Sequence, residues 1–285
     1  MKLRELWNNG SEFLATHKRE NGRSDARILL MHLLQIDYTQ FILRLEQEIN
    51  LKLTESYERE LTNLISGKPL QYILGEQEFM GLMFKVNNNV LIPRGDTEVL
   101  VNKTLELTSN FPSLNIVDVG TGSGIIAVTL AKKLPKAKIT AIDISAKALK
   151  VAELNAQDNK VKNNINFIKG DLLSPLLNNK QQYQIIVSNP PYISTPEMKN
   201  LPQHVLNEPH LALEAGYDGL DYYKRLAQSA PLVLCNNGYL IVEIGSSQDK
   251  QVKKIFSNNG FIDIELFKDF ANLPRVVVGK LKKTL

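Results

Sequence analysis

Apolar positions follow two different periods along the chain, and the change from one to the other divides it into regions. Through residues 1–70, leucine, isoleucine and aromatic side chains recur three or four positions apart, which predicts short amphipathic helices packed as a small all-α bundle. From Asn115 onward, short apolar runs typical of buried strands alternate with helical segments. This alternation predicts an α/β fold in which a mainly parallel sheet carries helices on both faces.

Seven strands are predicted in the second region, over residues 116–119, 138–143, 165–169, 184–188, 239–244, 261–266 and 275–279. Because no helical segment separates the last two strands, we expect them to pair antiparallel at one edge of the sheet. Ahead of the sheet, residues 84–86 and 90–92 flank an asparagine-rich turn and predict a β-hairpin. We therefore expect a helical domain over residues 1–70, a hairpin linker over 71–94 and a Rossmann-like α/β domain over 95–285.

Composition and charge exclude several classes of protein. The chain is 43% hydrophobic and 22% charged, as soluble globular proteins are, and no apolar run reaches the roughly 18 residues that cross a bilayer. The amino-terminal residues lack the apolar stretch of a secretory signal. A single cysteine, Cys235, rules out an internal disulfide, and the four histidines show no metal-ligand spacing. With a net charge of only +4, we expect a cytoplasmic monomer without metal, membrane association or a stable nucleic-acid partner.

The first predicted strand of the sheet ends in a glycine-rich turn that opens a helix. The turn consists of Gly120, Thr121, Gly122, Ser123 and Gly124. Glycines at such a place let the backbone turn sharply and approach a ligand closely. A Gly-Lys-Ser/Thr sequence is absent here, which argues against a triphosphate loop, and the Gly-x-Gly-x-Gly spacing argues against a dinucleotide.

Acidic residues follow the next two strands. Asp143 ends the second strand, where a carboxylate can accept both hydroxyl groups of a ribose, and Asp171 follows the third, where it could accept the amino group of adenine. Each aspartate alone could equally be a helix cap. The carboxyl ends of parallel strands meet at one edge of a sheet, so we expect these residues to share a site with the glycine turn. The ligand that fits is adenosine with a short charged tail and no phosphate, namely S-adenosylmethionine.

The fourth strand ends in the sequence Asn189-Pro190-Pro191-Tyr192. Two prolines remove two backbone donors and fix two φ angles, so the turn is rigid. It presents an amide side chain, a backbone carbonyl and an aromatic ring. We expect a planar group with an NH2 to bind there, with Asn189 Oδ1 and the Pro190 carbonyl as acceptors and Tyr192 stacked on its plane. The simpler alternative is a proline-rich turn that only ends a strand.

The combination of these motifs resembles the class I methyltransferases, and within them the peptide chain release factor N5-glutamine methyltransferases. The resemblance extends over nearly the whole length and is carried by residues 68–75, 91–98, 118–125, 188–193, 208–213, 216–220 and 275–279. The Ile-Pro-Arg segment at 92–94 and the Glu-Pro-x-Leu-Ala-Leu segment at 208–213 make it specific, because the Asn-Pro-Pro-Tyr turn alone also occurs in DNA enzymes. Gly95, where the family usually has proline, and the loop at 272–274 depart from the family pattern.

The resemblance assigns roles to both turns. It implies that S-adenosylmethionine is bound by Gly120, Thr121, Gly122, Ser123, Gly124, Asp143, Asp171 and Asn189. It implies that a substrate glutamine is held by Asn189, Pro190, Pro191 and Tyr192, with Asn189, Pro190 and Tyr192 as the catalytic residues. The expected reaction is methylation of N5 of the glutamine in the Gly-Gly-Gln motif of class I peptide chain release factors. This modification belongs to translation termination.

Other functions are also compatible with these residues. The glutamine could belong to a ribosomal protein, since the chemistry would be the same. A DNA or RNA amino group is a weaker alternative, because such enzymes need a basic groove, whereas the amino-terminal region mixes acids and bases. A cofactor-binding adaptor without activity would not need the intact Asn-Pro-Pro-Tyr turn. The helical domain shows no catalytic constellation, so it could dock the substrate or simply add stability.

Overall fold

The computed structural model describes residues 1–179 and 181–283, which divide into two compact units. The first unit consists of Met1–Gly75 together with Pro202–Asn207, and the remaining described residues form the second. Each unit has a hydrophobic core of its own, a single cluster in the first and two clusters in the second. The boundary after Gly75 therefore separates two regions that fold around different cores.

The first unit is helical, as the apolar spacing predicts. Its helices are α1 (Leu3–Thr16), α2 (Gly22–Leu34), α3 (Tyr38–Leu43), α4 (Leu51–Ile65) and α5 (Leu70–Leu74). In α4, Tyr57, Leu61 and Leu64 are spaced four and three positions apart and are buried together in the core. Gly10 of α1 makes room for this helix, because a Cβ atom there would lie 2.0 Å from the Tyr57 hydroxyl oxygen. The prediction of a small helical bundle is confirmed.

A two-stranded hairpin begins the second unit, but its strands differ from the predicted ones. Strand β1 (Glu76–Phe79) pairs antiparallel with β2 (Leu82–Lys85), so the predicted strand at 90–92 is wrong. The turn consists of Met80 and Gly81, whose φ angles of 50° and 80° suit a two-residue hairpin. Methionine is an unusual residue at positive φ, which is why the sequence pattern placed the turn later, among the asparagines.

The second unit is built on a seven-stranded sheet. Its strands are β3 (Asn115–Val119), β4 (Lys138–Asp143), β5 (Ile165–Lys169), β6 (Tyr183–Ser188), β7 (Leu234–Glu243), β8 (Phe261–Lys268) and β9 (Pro274–Leu281). The order across the sheet is β5-β4-β3-β6-β7-β9-β8, with parallel pairing from β5 to β7 and antiparallel pairing of β9 with both of its neighbours. The predicted mainly parallel sheet with an antiparallel edge is confirmed. The strand order reverses between β3 and β6, which makes their carboxyl ends the expected ligand crevice.

Helices cover both faces of this sheet. They are α6 (Thr97–Leu107), α7 (Ile125–Lys133), α8 (Ala146–Asp158), α11 (Asp221–Val233) and α12 (Asp249–Asn258). The short α9 (Thr195–Met198) follows β6 in the chain, and α10 (Gln203–Leu206) belongs to the first unit. Alternate strand residues face opposite sides: Ile116 packs in a cluster with Leu130 of α7, and Val117 in a cluster with Phe256 of α12. Among the described residues, no helix is both long enough and apolar enough to span a membrane.

Candidate active site

A cavity of about 240 Å³ lies at the carboxyl ends of the parallel strands, where the strand order reverses. Its wall includes Gly120 after β3, Asp143 at the end of β4, Asp171 after β5 and Asn189 after β6. Open α/β sheets bind their ligands at this place. The structure thus brings together residues that the sequence places on four different strand ends.

The glycine turn forms one wall of the cavity and leaves space beside its backbone. Gly120 and Gly122 have φ angles of 71° and 56°, and a Cβ atom on Gly120 would meet nothing within 4 Å. A ligand can therefore lie directly against the main chain at this point. Gly124 is different, because it is not on the cavity wall and a Cβ atom there would lie 3.0 Å from the Cβ of Ala152. Its small size serves the packing of α7 against α8.

Asp118 supports the glycine turn from within the sheet, a role that sequence reasoning missed. Its Oδ2 accepts hydrogen bonds from the Thr121 hydroxyl at 2.6 Å and from the Ala127 N–H at 3.1 Å. The other oxygen, Oδ1, is buried without a partner in the part of the chain that the structure describes. Burial raises the pKa of Asp118 to about 7. The sequence indicated this role only by placing an acidic residue within the otherwise apolar run of β3.

Asp143 links the glycine turn to the end of β4. Its Oδ2 accepts a hydrogen bond from the Gly122 N–H, and its Oδ1 accepts one from the Ser145 N–H, both at 2.8 Å. Burial raises the pKa of this carboxyl, although both N–H groups act in the opposite direction. A carboxylate oxygen has more than one lone pair, so both oxygens keep capacity for ligand hydroxyl groups.

Asp171 also lies on the cavity wall, but its charge already has a partner. Its Oδ2 accepts a hydrogen bond from Arg225 Nη2 of α11 at 2.5 Å, and its side chain is 46% exposed. Arg225 lines the same cavity. The predicted contact of Asp171 with an adenine amino group therefore stays a prediction, and it would have to coexist with this ion pair.

The Asn-Pro-Pro-Tyr turn is joined to β3 and to more distant elements. Ser188, just before the turn, donates a hydrogen bond from Oγ to the Val119 carbonyl at 2.7 Å. Asn189 Nδ2 donates to Thr97 Oγ1 at 3.1 Å, and Thr97 Oγ1 donates to Glu243 Oε2 at 2.8 Å. Within residues 1–179 and 181–283, no hydrogen bond is made to Asn189 Oδ1. The amide nitrogen of Asn189 is thus engaged, and its oxygen is available to a ligand.

The two prolines and the tyrosine of this turn take different positions. Pro190 and Pro191 line the cavity beside Asn189, whereas Tyr192 is not part of its wall. The ring of Tyr192 packs against the core cluster that contains Val117, and its carbonyl accepts a hydrogen bond from Gln248 Nε2 at 2.9 Å. Burial raises the pKa of Tyr192 to about 12. Stacking of this ring on the substrate stays a prediction.

Glu243 and Gln248 are buried polar residues that sequence reasoning missed. Glu243 ends β7 and is 1% exposed, and burial raises its pKa to about 7, while its hydrogen bond with Thr97 acts in the opposite direction. Gln248 is 8% exposed and bonds the carbonyls of both Tyr192 and Gly219. Both lie far along the chain from the turn that they support, so no local motif revealed them. An acid directly after an apolar run was the one signal for Glu243.

A buried carboxylate joins two segments on the rim of the cavity. Glu208 is 4% exposed, accepts a hydrogen bond from the Ile92 N–H at 3.0 Å and forms an ion pair with Arg94. Pro93 from the first segment and Leu211 from the second both line the cavity. The two segments that made the family resemblance specific are therefore neighbours in space.

Two family models match the chain. Residues 95–218 match the Methyltransferase small domain, and residues 5–75 match the PrmC N-terminal domain. The first match contains the glycine turn, the two aspartates and the Asn-Pro-Pro-Tyr turn. The second covers the five helices α1 to α5 of the first unit almost completely.

Curated relatives align with this chain over nearly its full length. The release factor glutamine methyltransferase of Moorella thermoacetica is 39% identical over 96% of this chain and 97% of its own length. The protein of the same name from Fusobacterium nucleatum is 38% identical over 97% of this chain and 78% of its own, and that from Bacillus subtilis is 37% identical over 95% and 96%.

Solved structures share the fold at low sequence identity. The hMettl16 catalytic domain aligns with a TM-score of 0.58 and 16% identity over 72% of this chain and 77% of its own. A methyltransferase from Pyrococcus furiosus aligns with a TM-score of 0.52 and 15% identity over 79% of this chain and 99% of its own. At such identities the similarity concerns the fold alone, and it agrees with the predicted class I methyltransferase architecture.

Proposed function

Because the chain belongs to the release factor glutamine methyltransferases, we propose that it methylates N5 of the glutamine in the Gly-Gly-Gln motif of class I peptide chain release factors, with S-adenosylmethionine as donor. The observation that carries this function is the match of 36–39% identity to relatives of that name, which extends through both units of the chain. A ribosomal-protein or nucleic-acid substrate is not favoured, because the match includes the helical unit as well as the methyltransferase domain.

The cavity wall suits S-adenosylmethionine in shape and in chemistry. Gly120 and Gly122 offer open space beside the main chain, and Asp143 offers carboxylate oxygens for ribose hydroxyl groups. In this proposal the remaining contacts come from Thr121, Ser123, Asp171 and Asn189, which also line the cavity, whereas Gly124 contributes through the packing of α7 against α8. When bound, the cofactor supplies an electrophilic methyl group and a neutral leaving group. The chain's own residues provide position and electrostatics.

Asn189 and Pro190 are proposed to hold the substrate amide. A glutamine nitrogen is a weak nucleophile, because its lone pair is delocalised into the carbonyl group. Asn189 Oδ1 and the Pro190 carbonyl would accept hydrogen bonds from its two N–H groups, which raises the electron density on the nitrogen and fixes its direction. The N-methylated amide cation that the transfer forms is strongly acidic, so it loses one proton to water without a base prepared in advance. Pro191 and Tyr192 complete the substrate site in this proposal.

The other parts of the chain take supporting roles in this proposal. The helical domain over residues 1–70 would dock the release factor, the segment over 71–94 would link it, and residues 95–285 would carry the transferase. The match of residues 5–75 to the PrmC N-terminal domain supports a family-specific role for the helices. We also propose that the protein acts as a cytoplasmic monomer without a metal or a stable nucleic-acid partner.

The function is tested by transfer of labelled methyl from S-adenosylmethionine to a purified class I release factor. The matched controls are a release factor whose Gly-Gly-Gln glutamine is replaced by alanine, and ribosomal protein and RNA from the same cells. Label on the intact release factor alone is the expected result. Label on ribosomal protein or RNA, with none on the release factor, would retain a methyltransferase and overturn the substrate.

A further inference from the structure

We propose that Thr97 and Glu243 are positioning residues that hold the amide of Asn189 with its oxygen toward the substrate, and that they thereby make the site select glutamine over glutamate. The inference rests on the proposed function, because it assumes that Asn189 Oδ1 accepts a hydrogen bond from a glutamine NH2. Both residues are buried, and neither belongs to the glycine turn or to the Asn-Pro-Pro-Tyr turn.

Three elements contribute to one chain of hydrogen bonds. Asn189 follows β6, Thr97 is the first residue of α6 and Glu243 is the last residue of β7. Asn189 Nδ2 donates to Thr97 Oγ1 at 3.1 Å, and Thr97 Oγ1 donates to Glu243 Oε2 at 2.8 Å. Thr97 is fully buried and Glu243 is 1% exposed, so water does not compete for these bonds.

The direction of this chain follows from the protons available. A threonine hydroxyl has one proton, and Thr97 gives it to Glu243. The lone pairs of Thr97 Oγ1 then face Asn189, and they can accept a hydrogen bond only from an N–H group. Asn189 must therefore direct its nitrogen at Thr97 and its oxygen away from it, toward the substrate side. A proton on the other oxygen of Glu243 would leave Oε2 as an acceptor and would not reverse the order.

Without this chain, the two ends of the Asn189 amide would be almost interchangeable. The terminal torsion of asparagine is broad and roughly two-fold, and oxygen and NH2 have similar shapes, so hydrogen bonds decide which one faces the ligand. An outward oxygen attracts the NH2 of glutamine and repels the carboxylate of glutamate. An outward NH2 would do the reverse. A buried polar site that is matched to one partner discriminates strongly against the other.

The test compares binding of two release factors, one with the natural Gly-Gly-Gln motif and one with glutamate in place of that glutamine. Thr97→Val removes the hydroxyl at nearly constant size, and Thr97→Ser keeps it. The matched control is Thr129→Val, because Thr129 is also fully buried, lies off the cavity wall and has a hydroxyl without a partner among the described residues. Cofactor affinity and melting temperature report on folding in every variant.

In Thr97→Val, the preference for glutamine over glutamate in the two dissociation constants should fall about tenfold or more, and kcat should fall by a similar factor, while cofactor affinity stays within about twofold. Thr97→Ser should restore the preference, and Thr129→Val should retain it. Equal weakening of both release factors by Thr97→Val, or an unchanged preference, would overturn the inference.

A second variant keeps the test decisive if Thr97→Val does not fold. Glu243→Leu removes the acceptor of the Thr97 proton, which frees that hydroxyl to donate to Asn189 Oδ1, so the preference should also fall. A folded Glu243→Leu with the wild-type preference would contradict the inference. Failure of the proposed function has a separate signature, because wild-type enzyme would then leave the natural release factor unmethylated.

Discussion

The glycine turn after β3 and the Asn-Pro-Pro-Tyr turn after β6 lie side by side, yet they are built by opposite means. Val119 and Ser188 are direct partners in the sheet, so both turns start from one level of the cavity. The first turn uses glycines at positive φ and offers open backbone to a ligand. The second is stiffened by prolines and offers the oxygen of one side chain. The site thus combines one turn that leaves space for a ligand with another that directs a side-chain oxygen.

The two turns also differ in where their support comes from. Asp118, which holds the glycine turn, is only three residues from Thr121 and nine from Ala127 in the sequence. Thr97 is 92 residues from Asn189, and Gln248 is 56 residues from Tyr192. The farthest side chain that supports the glycine turn, Asp143, is 21 residues from Gly122, whereas the second turn depends on residues 56 and 92 positions away. Each substitution below changes one of these two turns or its support.

The largest effect is expected for Asn189→Ala, which removes the aimed oxygen and leaves the glycine turn intact. Loss of one polar group that stabilises the reacting atoms costs about 10²–10³ in kcat, and the dissociation constant of the cofactor should change far less. Steady-state kinetics with the release factor and calorimetric titration with S-adenosylhomocysteine measure the two quantities. The exposed Asn258 of α12 supplies the control, Asn258→Ala. A variant Asn189→Ala with normal kcat would remove the basis of the mechanism.

Gln248→Ala should be the next most damaging change, because it removes the long-range support of the second turn. Its side chain bonds the carbonyls of Tyr192 and Gly219 through Nε2, and accepts hydrogen bonds from the Gly245 N–H and the Tyr223 hydroxyl through Oε1. Leaving these buried groups unpaired should lower the free energy of unfolding by about 2–4 kcal/mol.

Urea unfolding measures this loss, and Gln251→Ala, at an exposed position on α12, the helix that Gln248 precedes, is its control. We expect the control to remain within about 0.5 kcal/mol of the wild type. Similar stability of both variants would mean that the turn is held by its prolines alone, and the contrast between local and distant support would disappear.

Asp143→Asn tests the first turn in the same way. The variant keeps the shape but loses the charge, and its NH2 group must face the N–H of either Gly122 or Ser145, so one main-chain hydrogen bond and one acceptor for the ribose are lost. We expect the cofactor dissociation constant to rise about tenfold to a hundredfold, with a smaller rise for Asp171→Asn, whose carboxylate is half exposed and already paired with Arg225. Calorimetric titration gives both values, and the opposite ranking would show that Asp171 is the main acidic contact.

The smallest expected effect is on the pH dependence of the free energy of unfolding, to which Asp118 contributes. Its pKa is raised by burial to about 7, so between about pH 4 and pH 7 the folded chain keeps a proton that the unfolded chain loses. The stability from this group is present below pH 4 and is lost as pH rises through 7, by on the order of 1 kcal/mol per pH unit.

Urea unfolding of the cofactor-free protein at pH 5, 6 and 7 should therefore show a shallower decline in Asp118→Asn than in the wild type. Asp218→Asn is the control, because hydrogen bonding to Lys224 lowers the pKa of Asp218, so any stability that it contributes is lost only in more acidic solution. Parallel slopes in wild type and Asp118→Asn would show that Asp118 is already ionised in the folded protein.

The sequence was sufficient for features that depend on the backbone and on nearby residues. The period of apolar positions predicted the helical bundle, the parallel sheet and its antiparallel edge. The strand ends predicted most residues of the cavity wall, although Gly124 and Tyr192 lie off it. The hairpin was misplaced, because Met80 at positive φ gives no composition signal. Thr97, Glu243 and Gln248 were missed for a different reason, since their roles arise only when distant elements pack together.

The most direct test of the account is tandem mass spectrometry of the release factor after reaction with S-adenosylmethionine and the wild-type enzyme. We predict one added methyl group on the side-chain nitrogen of the Gly-Gly-Gln glutamine, and almost none in the same time with Asn189→Ala at equal cofactor occupancy. A methyl group on a lysine, an arginine or the main chain, or equal methylation by both enzymes, would contradict the role given to the Asn-Pro-Pro-Tyr turn.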